Sequence, residues 1–306
     1  MNKVLIVGST ALDNIKTPFG KHENVLGGSA IHASLSASFF APINIVGVVG
    51  EDFPKQHVEL LHSRKIDTQG LQIIKGGKTF HWEGYYEYDM SQAHTVETQL
   101  NVFADFKPTL PESYKDTPFV FLANIDPALQ QNVLEQVKSP KLTMLDTMNL
   151  WIDIKKEQLL KVMSKVDVVL LNDGEIRQLM NTPNIIKAAK EILKMGTKIL
   201  IVKKGEHGAL MFQGNDIFAA PSFPVETVKD PTGAGDSFAG GFIGYLAKTG
   251  NISDKNLRQA VMVGTAMASY IVEDFSCNRF LGLKKKDITD RYLELKKLSH
   301  FEKLEL

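Results

Sequence analysis

Residues 230–242 read DPTGAGDSFAGGF. Gly233, Ala234 and Gly235 lead into Phe238, Phe242, Tyr245 and Leu246, spaced as one helical face. The small residues therefore stand at a helix start. The first amides of a helix have no partner within it, and with the macrodipole they carry about half a positive charge. Such an end binds anions. Asp236 would repel a phosphate there unless it has a task of its own. A carboxylate so placed can take the proton of an attacking hydroxyl while the amides of Gly233, Ala234, Gly235 and Asp236 stabilise a transferring phosphoryl group. The alternative for Asp236 is a plain helix cap.

Two common phosphate motifs do not fit. Gly77-Lys78-Thr79 supplies the end of a P-loop, but Gln72 stands at its leading position and the stretch runs into a strand. The dinucleotide fingerprint starts at Gly233 and Gly235 and then meets Phe238, far from a first βαβ unit.

The loop needs a scaffold, and the pattern supplies one. Strands are expected at Lys3–Gly8, Ile43–Val49, Phe119–Ala123, Leu142–Leu145, Asp167–Leu171, Lys198–Lys203 and Ala209–Gln213. Helical stretches lie between them near 28–40, 54–65, 127–138, 155–165, 174–181 and 184–195. Alternation of this kind implies a mainly parallel sheet covered on both faces. Thr79–Tyr88 differs: Phe80, Trp82, Gly84, Tyr86 and Tyr88 fall on one face and His81, Glu83, Tyr85 and Glu87 on the other. Period two predicts an amphipathic antiparallel strand in a small projecting sheet, with partners before residue 27 and near 95–103. An ordinary edge hairpin is the alternative. Lys284–Leu306 reads as a solvated terminal helix.

Thirty-five Lys and Arg balance 35 Asp and Glu, so no net field attracts nucleic acid or anionic lipid. No apolar run approaches the ~18 residues of a membrane span. The N-terminal apolar stretch is short and meets Asp13 without a cleavage-like flank, so it reads as a first strand. One cysteine, Cys277, excludes an intrachain disulfide, and a cytoplasmic location is expected.

The glycine loop resembles the C-terminal signature of the ribokinase-like (PfkB) family of sugar and nucleoside kinases. GGSAIHASLSASF (residues 27–39), NDGE (172–175) and KKGEHGAL (203–210) match further elements in the family's order. The resemblance spans nearly the whole chain, and four ordered elements make it specific. It implies a single three-layer, Rossmann-like α/β domain over residues 1–306, with a small antiparallel β lid from strands at roughly 14–26 and 78–103. It also implies ATP with Mg²⁺ as donor and a primary hydroxyl of a sugar as acceptor, a nucleoside being the alternative.

Residue by residue, the resemblance makes Asp236 the catalytic base and Gly233, Ala234 and Gly235 the anion hole. Asp13, beyond the first strand, matches an Asp that grips two sugar hydroxyls; a turn aspartate is the other reading. Gly27 and Gly28 would let the sugar rest against a helix start. His32 stands where many relatives carry a sugar-orienting Asn, and histidine titrates near neutrality. DTMNLW (146–151) only approximates a family pattern, with Asn149 one place later than expected. Lys203, Gly205 and Gly208 lie where the family contacts the nucleotide, as do Asn172 and Thr232. Gly205 and Gly208 also suit a plain tight turn. Asn172 and Glu175 match residues that hold hydrated Mg²⁺; the same spacing is a capping box. Asp230 and Thr232 match positions that in many relatives help bind a monovalent cation, K⁺. The lid implies closure over the acceptor or a homodimer. A non-catalytic sensor of sugar or nucleotide is the reading from another class.

Overall fold

The computed structural model describes residues 1–302 and 304. Its strands are β1 (Val4–Val7), β2 (Ala11–Thr17), β3 (Gly20–Gly27), β4 (Ile43–Gly50), β5 (Ile66–Ile74), β6 (Phe80–Tyr86) and β7 (Ala93–Gln99). They continue with β8 (Phe119–Leu122), β9 (Leu142–Leu145), β10 (Val168–Asn172), β11 (Ile199–Lys203), β12 (Ala209–Gln213) and β13 (Asp216–Ala220). The main sheet has nine strands in the order β13-β12-β11-β10-β9-β8-β1-β4-β5. It is parallel except at one end, where β12 pairs antiparallel with β11 and β13 antiparallel with β12.

The apolar runs are continuous because both faces are covered. Val4 and Ile6 join one hydrophobic cluster, built with α1 (Ser29–Ala37), α8 (Ala234–Thr249) and α9 (Asp254–Ile271). Leu5 and Val7, pointing the other way, join a second with α3 (Pro127–Gln136), α5 (Lys156–Met163), α6 (Asp173–Met180) and α7 (Ile185–Lys194). Strand period two thus feeds two cores from one strand. The remaining helices are α2 (Lys55–Ser63), α4 (Asn149–Ile154), α10 (Asn278–Leu281) and α11 (Lys285–Leu298). The expected terminal helix is α11, and residues 303, 305 and 306 of that expectation lie outside the described residues. Among the described residues no helix is long and apolar enough to cross a membrane.

The second sheet has the order β3-β2-β6-β7. Its outer pairs are antiparallel, as expected, but β2 and β6 run parallel. This happens because β2 leaves β1 after only three residues and is itself a lid strand, which places Asp13 inside β2 rather than in a turn. The expected aromatic face is also interrupted. A register shift falls between Glu83 and Gly84, and Tyr88 lies past the strand with 93% of its surface exposed. Sequence patterning did not reveal β5 or β13. In the edge strand β5 the consecutive polar residues Asp67, Thr68 and Gln69 break both the apolar run and any alternation, and β13 is a five-residue edge strand.

Candidate active site

Three neighbouring parallel strands end side by side. β9 runs into Asp146, β10 ends at Asn172 and β11 ends at Lys203, with Asn172 and Lys203 in register. The start of α8 is in contact with this edge, since a Cβ added to Gly235 would lie 3.1 Å from Lys203 Nζ. Carboxyl ends of parallel strands and helix N-termini meet where α/β proteins collect ligands.

Gly233 precedes α8 with φ +75, and an added Cβ would strike the His32 ring. Only glycine fits there, for both reasons. Ser237 N donates to Gly233 O at 2.8 Å, and Ala234 N donates to Pro231 O at 3.2 Å. The Ala234 amide is therefore engaged in the turn rather than free, contrary to expectation. The amides of Gly235 and Asp236 show no intramolecular acceptor among the described residues. Asp236 sits in the first turn, its carboxyl pushed up to about 7 by burial and by Asp146, with Lys203 opposing.

Asp146 is the site residue that sequence reasoning passed over. It is buried and its Oδ2 accepts from Lys203 Nζ at 2.5 Å. Burial alone would lower the Lys203 pKa, but Asp146, Glu175 and Asp236 hold the ammonium above its ordinary value. A signal existed in DTMNLW, whose aspartate directly follows a buried strand end. Asn149 itself is exposed at the start of α4, and its Oδ1 accepts from Leu150 N at 3.0 Å. No contact brings it to the cluster among the described residues.

Asn172 and Glu175 form the full capping box of α6. Asn172 N donates to Glu175 Oε2 at 2.6 Å, Asn172 Nδ2 to Oε1 at 2.7 Å, and Glu175 N to Asn172 Oδ1 at 2.7 Å. Burial raises the Glu175 carboxyl to about 7 against the pull of Lys203. Each Glu175 oxygen takes one hydrogen bond, so each keeps a lone pair for a metal-bound water, and the pair fits a hydrated cation. Gly208 turns the chain into β12 beneath the Ala220 carbonyl, and Gly205 faces open space.

On the lid side, Asp13 lies in register with Val25 of β3 and Trp82 of β6. An added Cβ at Gly27 would overlap its carboxylate, so Gly27 and Asp13 share one cradle. Asp13 Oδ1 is buried and has no hydrogen-bond partner among the described residues. Burial, then Asp230 and Asp236, push this carboxyl up to about 8. Gly28, at φ +97, starts α1 and its carbonyl accepts from Ile31 and His32.

His32 departs from its expected behaviour. It is 2% exposed, its Nδ1 lies 3.4 Å from Cys277 Sγ, and burial depresses it to about 4. The imidazole is neutral near pH 7 and does not titrate there. Its Nε2 has no hydrogen-bond partner among the described residues. Asp230 is buried, with Oδ1 accepting from Thr232 N and Oδ2 from Ser276 N, both at 2.9 Å. Thr232 Oγ1 lies 3.1 Å from the Tyr86 hydroxyl of the lid.

This arrangement has relatives. A cytidine kinase of Thermococcus kodakarensis is 29% identical over 279 residues, covering 89% of this chain and 97% of that protein. The structure resembles that of a nucleoside kinase of Methanocaldococcus jannaschii, with TM-score 0.77, 22% identity, and 96% and 99% of the two chains covered. It also resembles a ribokinase-II-type protein of E. coli in complex with ATP and Mg²⁺, with TM-score 0.79, 19% identity, and 97% and 100% covered. The model of the family described as "pfkB family carbohydrate kinase" matches residues 1–282, which takes in both sheets, the glycine loop and α1 to α10. The chain belongs to the pfkB family of carbohydrate kinases.

Proposed function

We propose that the protein transfers the γ-phosphoryl group of ATP to the primary hydroxyl of a nucleoside, with Asp236 as general base. The observation that carries this reading is the start of α8. A carboxyl poised near 7 sits among unpaired helix amides, with the Lys203 ammonium against the same loop. The acceptor oxygen gives its proton to the Asp236 carboxylate as its bond to phosphorus forms, and the bond from phosphorus to the ADP oxygen breaks. The Gly235 and Asp236 amides and Lys203 face the charge carried by the transferring group. Asp13, with its unpaired buried oxygen, accepts from ribose hydroxyls beside Gly27 and Gly28. His32, neutral and buried, shapes the floor under Gly233.

Mg²⁺, when bound, neutralises phosphate charge, and Asn172 and Glu175 would hold it through its water shell. Asp230 and Thr232 would meet a K⁺ ion beside the loop; the two oxygens of Asp230 already fix the loop through Thr232 and Ser276. Lys203 stands nearest the anion loop of the expected nucleotide contacts, while Gly205 and Gly208 shape the turn behind it.

A nucleoside is preferred to a plain sugar, reversing the order taken from sequence. The cytidine kinase relative matches almost over its full length. The lid also presents Trp82 in register with Asp13, and an aromatic ring beside a ribose site suits a stacked base. The test is ADP formation over cytidine, adenosine, inosine, ribose and fructose. Nucleoside-dependent turnover supports the reading. Turnover with sugars alone overturns the acceptor, and binding of ATP without any turnover would point to a sensor.

A further inference from the structure

The Asp146–Lys203 pair is built into the site on every side. Asp146 Oδ1 accepts from Thr147 N at 2.9 Å, which leaves Oδ2 for Lys203 Nζ at 2.5 Å. The Asp146 carbonyl is fixed separately by Gln130 Nε2 at 2.9 Å, and the same buried amide donates to Ala123 O at 3.0 Å. The carboxylate therefore cannot drift. Its side chain is 4% exposed and that of Lys203 17%.

An ammonium has three donors. Among the described residues Asp146 is the one hydrogen-bond acceptor of Lys203 Nζ, so two N–H groups remain, at the mouth of the loop formed by Gly235 and Asp236. Glu175 takes neither of them among the described residues; its oxygens accept from Asn172. A buried ion pair is a poor way to gain stability, since desolvation offsets the attraction and an apolar pair would serve as well. A buried cation with free donors beside an anion loop has a ligand in view.

We propose that Asp146 is a positioning residue for phosphoryl transfer, which holds the Lys203 ammonium at the anion loop so that its free N–H groups meet the terminal phosphate of the donor. The inference rests on the kinase reading and deepens it. Asp146 touches neither donor nor acceptor; it acts through Lys203, and its charge also raises the Asp236 carboxyl. Without it, the ammonium has Asp236 and Glu175 as its nearest anions, and pairing with Asp236 would occupy the general base.

The test is a double-mutant cycle of Asp146→Asn and Lys203→Met. Two readouts are taken: kcat with the best acceptor of the panel, and calorimetric Kd for the magnesium complex of β,γ-imido-ATP, which needs no acceptor. Lys203→Met should lower kcat by about 10²–10³-fold, as for loss of one charge-stabilising donor. Asp146→Asn should lower kcat by between about threefold and a hundredfold and leave the acceptor KM unchanged. Combined, the two should be no slower than Lys203→Met alone when measured well above pH 7, where Asp236 is ionised with or without the Asp146 charge and Lys203 is the remaining route. Asp146→Asn should likewise change the analogue's Kd when Lys203 is present and not in the Lys203→Met background. The combined variant removes both charges, so it folds without a lone buried ion, and melting curves verify it. Losses that multiply, or wild-type Kd and kcat in Lys203→Met, overturn the proposal. A panel without an accepted nucleoside defeats the acceptor reading, while the calorimetric cycle still decides this one.

Discussion

Tyr86 Oη lies 3.1 Å from Thr232 Oγ1, which joins the lid to the glycine loop across 146 residues of sequence. The link does not stand alone. Thr232 N and Ser276 N converge on Asp230, and Ser276 Oγ donates to Leu26 O of β3. Two lid strands are thus tied to the segment that orients the anion loop. Tyr86→Phe keeps the ring and removes one hydrogen bond, a loss of about 1 kcal/mol. The expected result is a severalfold rise in acceptor KM with a smaller change in kcat. An unchanged acceptor KM would show that the latch has no part in holding the acceptor.

The lid should also report on binding. The chain has two tryptophans, Trp82 and Trp151, and the Trp151 indole donates to Asn124 Oδ1 in the main body. In a Trp151→Phe background the remaining emission belongs to Trp82, whose indole donates to Thr95 of β7. Adding the acceptor should change that emission. A flat titration at saturating acceptor, with Trp82→Ala altering neither KM nor oligomeric state, would remove the lid from the account.

Asp13 gives a pH prediction for the ligand-free protein. Its folded carboxyl is raised to about 8 from an ordinary value of 3.8. A raised carboxyl binds more protons folded than unfolded, so stability is full below the unfolded value and falls as pH climbs through the folded one. Asp236 and Glu175, each raised to about 7, act in the same direction. The melting temperature should therefore decline from about pH 4 to about pH 8, and Asp13→Asn should flatten that decline. A slope that Asp13→Asn leaves unchanged would mean the carboxyl is not held neutral. In kinetics the same variant should raise acceptor KM and spare ATP KM.

Gly27 supports Asp13 directly. A Cβ there would overlap the carboxylate, and overpacking of this kind costs about 1–3 kcal/mol. Gly27→Ala should therefore weaken acceptor binding much as Asp13→Ala does, and the two should not add. Additive losses in acceptor KM would place them in separate roles.

The two faces of β1 and the glycine loop were legible because strand period and helix-start chemistry are local. Asp146 was not, since its meaning depends on Lys203 at a separation of 57 residues. Only the pairing of β9, β10 and β11 brings those strand ends together. The lid's parallel pair was hidden for a similar reason. The side-chain pattern of Phe80–Tyr86 fixes a face but not a strand direction, and the direction follows from where β2 leaves β1. His32 shows the reverse limit: its type suggests titration, and only its burial under Gly233 beside Cys277 removes it.

The central claim is that Asp236 takes the acceptor's proton, and single-turnover phosphoryl transfer in Asp236→Asn measures it most directly. The substitution is nearly isosteric, so ATP binding should persist while the rate falls about 10²–10⁴-fold. In the wild type, kcat/KM should rise with pH through about 7, as the raised carboxyl loses its proton. Near-wild-type transfer by Asp236→Asn, with ATP bound at normal affinity, would contradict the account.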